Sequence, residues 1–186
     1  MKKLLAILLA LAMVCSMVAC GKGGEETDNG GDAAPAELQK IELEIEASGL
    51  EELSKVTLGA PKNMSIEKSD WNYVITDAAQ NVSVEAYICC DYNCYDVNQE
   101  ASKESDEGYG EQKFGNFDGY YYISPSGYYV EVYIYMGCVA EIDDVYLSFT
   151  IGALEGSSED PMALFNLADV QTILSSAVFT PAQEAA

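Results

Sequence analysis

The 186-residue chain contains no histidine and no arginine, and those two absences exclude more than any motif in it asserts. Without imidazole the usual proton shuttle at neutral pH is missing, so serine and cysteine triads and histidine-bearing zinc sites are ruled out. Without guanidinium there is no bidentate clamp for phosphate. Positive charge is scarce altogether: nine lysines stand against 31 acidic residues, for a formal net charge of −22. So few lysines, scattered along the chain, cannot form the basic stripe a nucleic acid requires, and anionic lipid would repel the folded part. A cationic partner, a metal cation or a neutral sugar remains compatible, as does the plainer role of acidity in keeping a protein soluble. Long apolar runs are missing too. The stretch Leu4 to Val14 spans eleven residues, short of the roughly 20 that cross a bilayer.

What that stretch does match is the apolar region of a signal peptide, about 7–15 residues behind a positive start, here Lys2 and Lys3. Small Ala19 then precedes Cys20. The segment Met17-Val18-Ala19-Cys20-Gly21 resembles the lipobox of bacterial lipoproteins, departing from it in having Met17 where Leu or Val is usual. Cys15 is a poor rival because bulky Val14 precedes it, and an ordinary secretory signal cleaved nearby is the alternative. The resemblance implies that residues 1–19 are removed and that the Cys20 thiol carries diacylglycerol. The protein is then expected at the extracytoplasmic face of the cell membrane, held there by its lipid.

Residues 21–36 carry five Gly, four acids and no large apolar side chain, a composition that cannot bury enough surface to offset ordering. We read residues 20–38 as the acylated cysteine with a Gly-rich acidic tether, and 39–182 as a single domain. There a period of two dominates, the signature of strands. Lys40 to Ala47 alternates Ile41, Leu43 and Ile45 with Glu42, Glu44 and Glu46. Leu50 to Lys55 reads as one helical turn before Val56-Thr57-Leu58 and a break at Gly59-Ala60-Pro61. Trp71–Asp77 and Asn81–Cys89 read as a hairpin, as do Gly119–Ser124 and Gly127–Met136, and Val145–Ala153 as a further strand. Helices are expected within Tyr95–Glu107 and near the C-terminus, where Asp160-Pro161 is a good N-cap pairing and Leu167, Val170 and Leu174 share a face. A short strand, Ala177-Val178-Phe179, closes the pattern. The expected class is α+β: a largely antiparallel sheet with packed helices.

This order, with the Gly-Ala-Pro-Lys-Asn-Met segment at its start and the closing run Asp169-Val170-Gln171-Thr172-Ile173-Leu174-Ser175-Ser176, resembles the PsbP-like α/β/α sandwich of many bacterial lipoproteins. The resemblance covers residues 56–181 and implies a fold without common catalytic residues, hence no site to transfer.

Tyrosine is the unusual feature of the domain. Tyr120, Tyr121, Tyr122, Tyr128, Tyr129, Tyr133 and Tyr135 crowd one hairpin. Alternation sends Val130, Val132, Ile134 and Met136 to a core face and Tyr129, Glu131, Tyr133 and Tyr135 to the other. The same parity selects Ser83, Glu85 and Tyr87 in one neighbouring strand, and Tyr146, Ser148 and Thr150 in another. If these strands are adjacent, the sheet's second face is a field of phenols, hydroxyls and carboxylates that could stack on sugars or accept a cation. The competing reading is packing, since tyrosine favours strands and cross-strand aromatic pairs stabilise sheets. A helix or the N-terminal segment covering that face would have the same effect.

Glu85 and Glu131 invite comparison with a glycosidase pair, whose carboxyls stand about 5–5.5 or 6.5–9.5 Å apart. Sequence supplies no such distance, and no enzyme is expected. For Cys89, Cys90, Cys94 and Cys138, parity favours Cys90–Cys138 with Cys89–Cys94 as disulfides. A four-thiolate metal site lacks the Cys-x-x-Cys spacing, and buried thiols are the bland alternative. Asp91-x-Asn93 and Asp96-x-Asn98-x-Glu100 lack the Gly and Glu of a calcium loop. Gly108-Tyr109-Gly110 reads as a turn, not a phosphate loop. No metal or cofactor is expected. The functional expectation is a non-catalytic binding module at the cell envelope, its partner a glycan or an envelope protein. A structural or accessory subunit of an envelope complex comes second, and a carboxylate-dependent glycan-active enzyme third.

Overall fold

In the computed structural model of the chain, the alternation of apolar and polar residues becomes, among the described residues, ten strands in two antiparallel sheets. The structure describes residues 37–45, 54–69, 72–91, 94–105, 107–139, 143–154 and 159–181. The chain divides into two units, Met1–Ala34 and Pro35–Ala186, and every described residue belongs to the second. The expected signal peptide, Cys20 and the expected tether up to residue 36 therefore lie outside the described residues. Among the described residues no helix is long and apolar enough to cross a membrane.

A small sheet holds β1 (Leu38–Ile45), β2 (Ser54–Pro61) and β10 (Val178–Thr180), with β2 in the middle. Ile41 and Leu43 of β1 point inward while Glu42 and Glu44 stay in solvent, as alternation requires. The expected helical turn at Leu50–Lys55 falls mostly outside the described residues, and its last two positions, Ser54 and Lys55, already belong to β2. Nor does Gly59-Ala60-Pro61 break the chain. β2 runs through it in register with β1, Leu38 opposite Pro61 and Ile41 opposite Leu58. At Gly59 the strands run close: a Cβ would stand 2.8 Å from Leu38 Cδ1 and would push that exposed side chain aside. Its N–H donates to Ser176 Oγ at 2.7 Å, tying this strand to the C-terminal helix.

The large sheet has the order β3-β4-β5-β9-β8-β7-β6. Its strands are β3 (Ser65–Lys68), β4 (Tyr73–Asp77), β5 (Val82–Asp91), β6 (Gly110–Phe114), β7 (Phe117–Ile123), β8 (Tyr129–Val139) and β9 (Asp143–Ala153). The two expected hairpins are present. β3 and β6 had not been expected, because neither short strand carries a clear apolar alternation. The middle strands present Val82, Val84 and Ala86, then Val145, Leu147, Phe149 and Ile151, then Val130, Val132 and Ile134, all buried, to one face. Against it pack Val56 and Leu58 of the small sheet and the apolar faces of two C-terminal helices, making one continuous core.

Those helices replace the single one expected. α2 (Pro161–Phe165) is capped by Asp160, whose carboxylate accepts from the Met162 N–H at 3.0 Å, and α3 (Ala168–Ser175) buries Val170, Ile173 and Leu174. The break at Asn166 is sealed by side chains. Asn166 donates to the Met162 carbonyl at 2.7 Å, and Gln171 donates to that of Phe165 at 2.7 Å. A third helix, numbered α1 by chain order (Cys94–Ser105), packs on the opposite face of the large sheet, where its Tyr95 meets Tyr120 and Tyr146. The architecture is α+β, with helices against both faces of an antiparallel sheet.

The topology does not bring Cys90 and Cys138 together. Cys90 stands opposite Val145 of β9, and β9 separates β5 from β8. Two strand spacings amount to about 9.5 Å, beyond the roughly 7 Å over which two Cα atoms accept a disulfide. A bulge between Tyr135 and Gly137 also shifts the alternation by one, so Cys138 faces Asp144 in the register, not Val145. The side chains of Cys90, Cys94 and Cys138 lie outside those described, while Cys89 is half-buried beside the tyrosines.

Candidate functional site

The residues that parity assigned to the second face do share it. Because β5, β9 and β8 are neighbours, cross-strand rows form: Ser83–Gly152–Tyr129, Glu85–Thr150–Glu131, Tyr87–Ser148–Tyr133 and Cys89–Tyr146–Tyr135. β7 extends two of these rows with Tyr122 opposite Glu131 and Tyr120 opposite Tyr133. The structure divides this face into a closed half and an open half.

The closed half lies under α1. Tyr120, fully buried, stacks on Tyr133 with centroids 5.0 Å apart and planes 14° from parallel. Tyr95 comes down from the helix onto Tyr120 at 5.3 Å and Tyr135 at 5.2 Å, and Tyr146 is 7% exposed beneath it. Tyr109 and Tyr122 complete the stack at 6.0 and 6.4 Å from Tyr120. Burial raises the phenols of Tyr95, Tyr120 and Tyr133 far above their ordinary range and pushes Tyr109 to about 12, so all are neutral donors. The Tyr120 hydroxyl has no hydrogen-bond partner among the described residues. Ser148 Oγ, also fully buried, lies beside the phenols of Tyr87 and Tyr133, whose titration burial raises and Ser148 partly restores. Here Tyr133, Tyr135 and Tyr146 serve as packing, the competing reading of the sequence. Tyr95 is the residue that reading missed, since its helix is polar and weakly periodic.

The open half begins one row along. Ser83, Glu85, Tyr129, Thr150 and Gly152 line a cavity of about 220 Å³. Tyr129 is 43% exposed, and its Cδ1 and Cε1 lie over Gly152, where a Cβ would come within 2.6 Å of the ring. The glycine is thus the seat of the ring. Tyr128, 66% exposed, stands edge-on to Tyr129 at 6.4 Å.

Glu131 is half-buried and accepts the Thr150 hydroxyl at 3.0 Å. Burial, and then repulsion from Glu85, raise its carboxyl above the usual range. Glu85 is exposed, with the Asn72 amide 3.5 Å away. The two glutamates flank Thr150, so their backbones stand about 9.5 Å apart. No described lysine serves them. Lys40, Lys55, Lys62, Lys103 and Lys113 pair with Glu42, Glu44, Glu37, Glu111 and Asp118, and Lys68 lies over the Tyr73 ring.

A second cavity, about 360 Å³, opens between α1 and the β6–β7 edge, but its charges are already spent on the Lys113–Asp118 and Lys103–Glu111 pairs. Among the described residues no group of three or more acidic or thiol side chains is disposed to hold a metal ion.

Fold and face define an α+β protein with an aromatic and acidic sheet surface. Comparison with known proteins finds no matching family model, no matching curated protein and no matching solved structure.

Proposed function

We propose that this chain is a lipid-anchored extracytoplasmic protein that acts by binding, not catalysis, through the open half of its tyrosine-bearing sheet face. The observation that carries the reading is the juxtaposition of a solvent-facing aromatic pair, Tyr128 and Tyr129, with two glutamates that no described lysine neutralises. Stability alone favours neither feature. Exposed rings forgo burial, and a half-buried carboxylate beside another acid is costly unless something binds it. The anchoring part rests on the N-terminal pattern ending at Cys20. Capture at the envelope is tested with the full chain in intact cells, crosslinking wild type against Tyr129→Ala and Cys20→Ala. Wild type should retain an envelope glycan or protein that Tyr129→Ala loses, and Cys20→Ala should leave the membrane fraction. Equal capture by wild type and Tyr129→Ala would sink the assignment of this face.

The second reading is an accessory subunit whose face is buried against a protein. The pair Tyr128–Tyr129 supports it, because tyrosine is enriched among the few residues that dominate protein interfaces. A glycan array set against pull-down from envelope extract separates the two.

A further inference from the structure

Resting on the reading of this protein as a binder, we propose that the cavity beside Tyr129 is a subsite for one saccharide ring bearing a protonated amine. Each part of that ligand answers a feature of the site. The volume, about 220 Å³, is below the roughly 300–1,000 Å³ of pockets for drug-sized ligands and takes a single ring. Tyr129 supplies the wall. It is seated on Gly152 and therefore held against the sheet, yet 43% exposed, so it offers surface to the C–H face of a sugar. Ser83 and Thr150 add hydroxyls at the floor, and Thr150 holds Glu131 in place.

The polar groups then decide the charge of the ligand. A neutral sugar needs donors and acceptors in balance, whereas this wall offers acceptors in excess. Glu85 lines the cavity, Glu131 stands just beyond its lining on the far side of Thr150, and all six described lysines are engaged elsewhere. An ammonium between them relieves their repulsion and gives the half-buried carboxylate a counter-ion. The −22 formal charge of the chain concentrates such a ligand near the surface.

Calorimetric titration of the full chain in detergent with glucosamine, N-acetylglucosamine and putrescine tests this. Glucosamine should bind at least tenfold more tightly than either of the others, since one lacks the charge and the other the ring. Tyr129→Ala and Glu131→Gln should each weaken it at least tenfold. Gly152→Ala, which dislodges the Tyr129 ring without deleting it, should do the same. Glu111→Gln, in the other cavity, should not. Equal affinity for N-acetylglucosamine or putrescine overturns the proposal, as does the absence of saturable binding by all three. If none binds but the cells still show Tyr129-dependent capture, the subsite falls while the binding face stands. If capture is lost as well, both fall.

Discussion

Thr150 and Glu131 stand directly opposite each other on adjacent strands, and the threonine hydroxyl donates to the carboxylate at 3.0 Å. This single bond holds an acid that its surroundings otherwise penalise. Glu85 faces it from β5, and the phenols of Tyr87 and Tyr133 lie close enough for its charge to raise their titration.

Glu131→Gln is therefore expected to stabilise the fold while impairing capture. The folded-state pKa is raised, so the penalty is absent below the unfolded value of about 4.3 and grows as pH rises through the folded one. The glutamine carbonyl still accepts from Thr150. Urea unfolding should show a gain in stability at pH 7 that disappears near pH 4. A loss of stability at pH 7 would mean that the carboxylate has a structural cation instead.

Tyr120→Phe separates ring from hydroxyl in the closed half. The ring packs on Tyr133 and Tyr95, but the hydroxyl is fully buried without a partner among the described residues. Phenylalanine keeps the stack and removes a desolvated polar atom, so unfolding free energy should hold steady or rise by about 1 kcal/mol. Tyr120→Ala should cost about 3–5 kcal/mol. A large loss in the phenylalanine variant would reveal a partner for the hydroxyl.

Two glycines with positive φ make a controlled comparison. At Gly115, φ is +61° and a Cβ would stand 2.4 Å from the Ser175 carbonyl, whereas at Gly127 φ is +75° and nothing lies within 4 Å. Gly127→Ala should cost only the backbone strain, about 1 kcal/mol, and Gly115→Ala at least about 2 kcal/mol because the β6–β7 turn must also part from the end of α3. Equal shifts in thermal unfolding would show that this junction yields freely.

Asp77 organises the β4–β5 turn. It is buried and accepts from the Ala79 N–H at 2.8 Å, the Gln80 side chain at 2.8 Å and the Asn63 amide at 3.1 Å. Both amides also donate to Asp169 of α3, at 2.9 Å from Gln80 and 3.0 Å from Asn63. The Gln80 bond foremost, with the turn N–H groups and Asn63, lowers the Asp77 pKa. Its contribution is present above the unfolded value of about 3.9 and fades as pH falls through the lowered folded value. Asp77→Ala should cost about 1–3 kcal/mol at pH 7, and an acid titration should show that the variant has lost part of the wild-type decline. Parallel acid profiles would place the acid sensitivity elsewhere.

Much of the arrangement was readable from spacing. The alternation through Val82–Tyr87, Tyr129–Tyr135 and Val145–Thr150 assigns each residue to a face, and the face is right for every one of them. It holds through Met136, which is buried as expected, and fails beyond it because a bulge inserts one extra residue that no local pattern marks except Gly137, at φ +132°. The Cys90–Cys138 expectation fails for another reason, because β9 lies between the two strands that carry these residues. The C-terminal helix was read as continuous because Leu167 fits the apolar stripe. Only the side-chain caps of Asn166 and Gln171 turn that stretch into two helices.

Local sequence alone determined the antiparallel α+β class and the assignment of tyrosines and glutamates to one face, because a strand repeats every two residues wherever it lies. Which of those residues reach solvent was decided in three dimensions. The position of α1 over the Tyr120 end, and its absence from the Tyr129 end, depends on contacts between segments far apart in the chain, and no period in the sequence records such contacts.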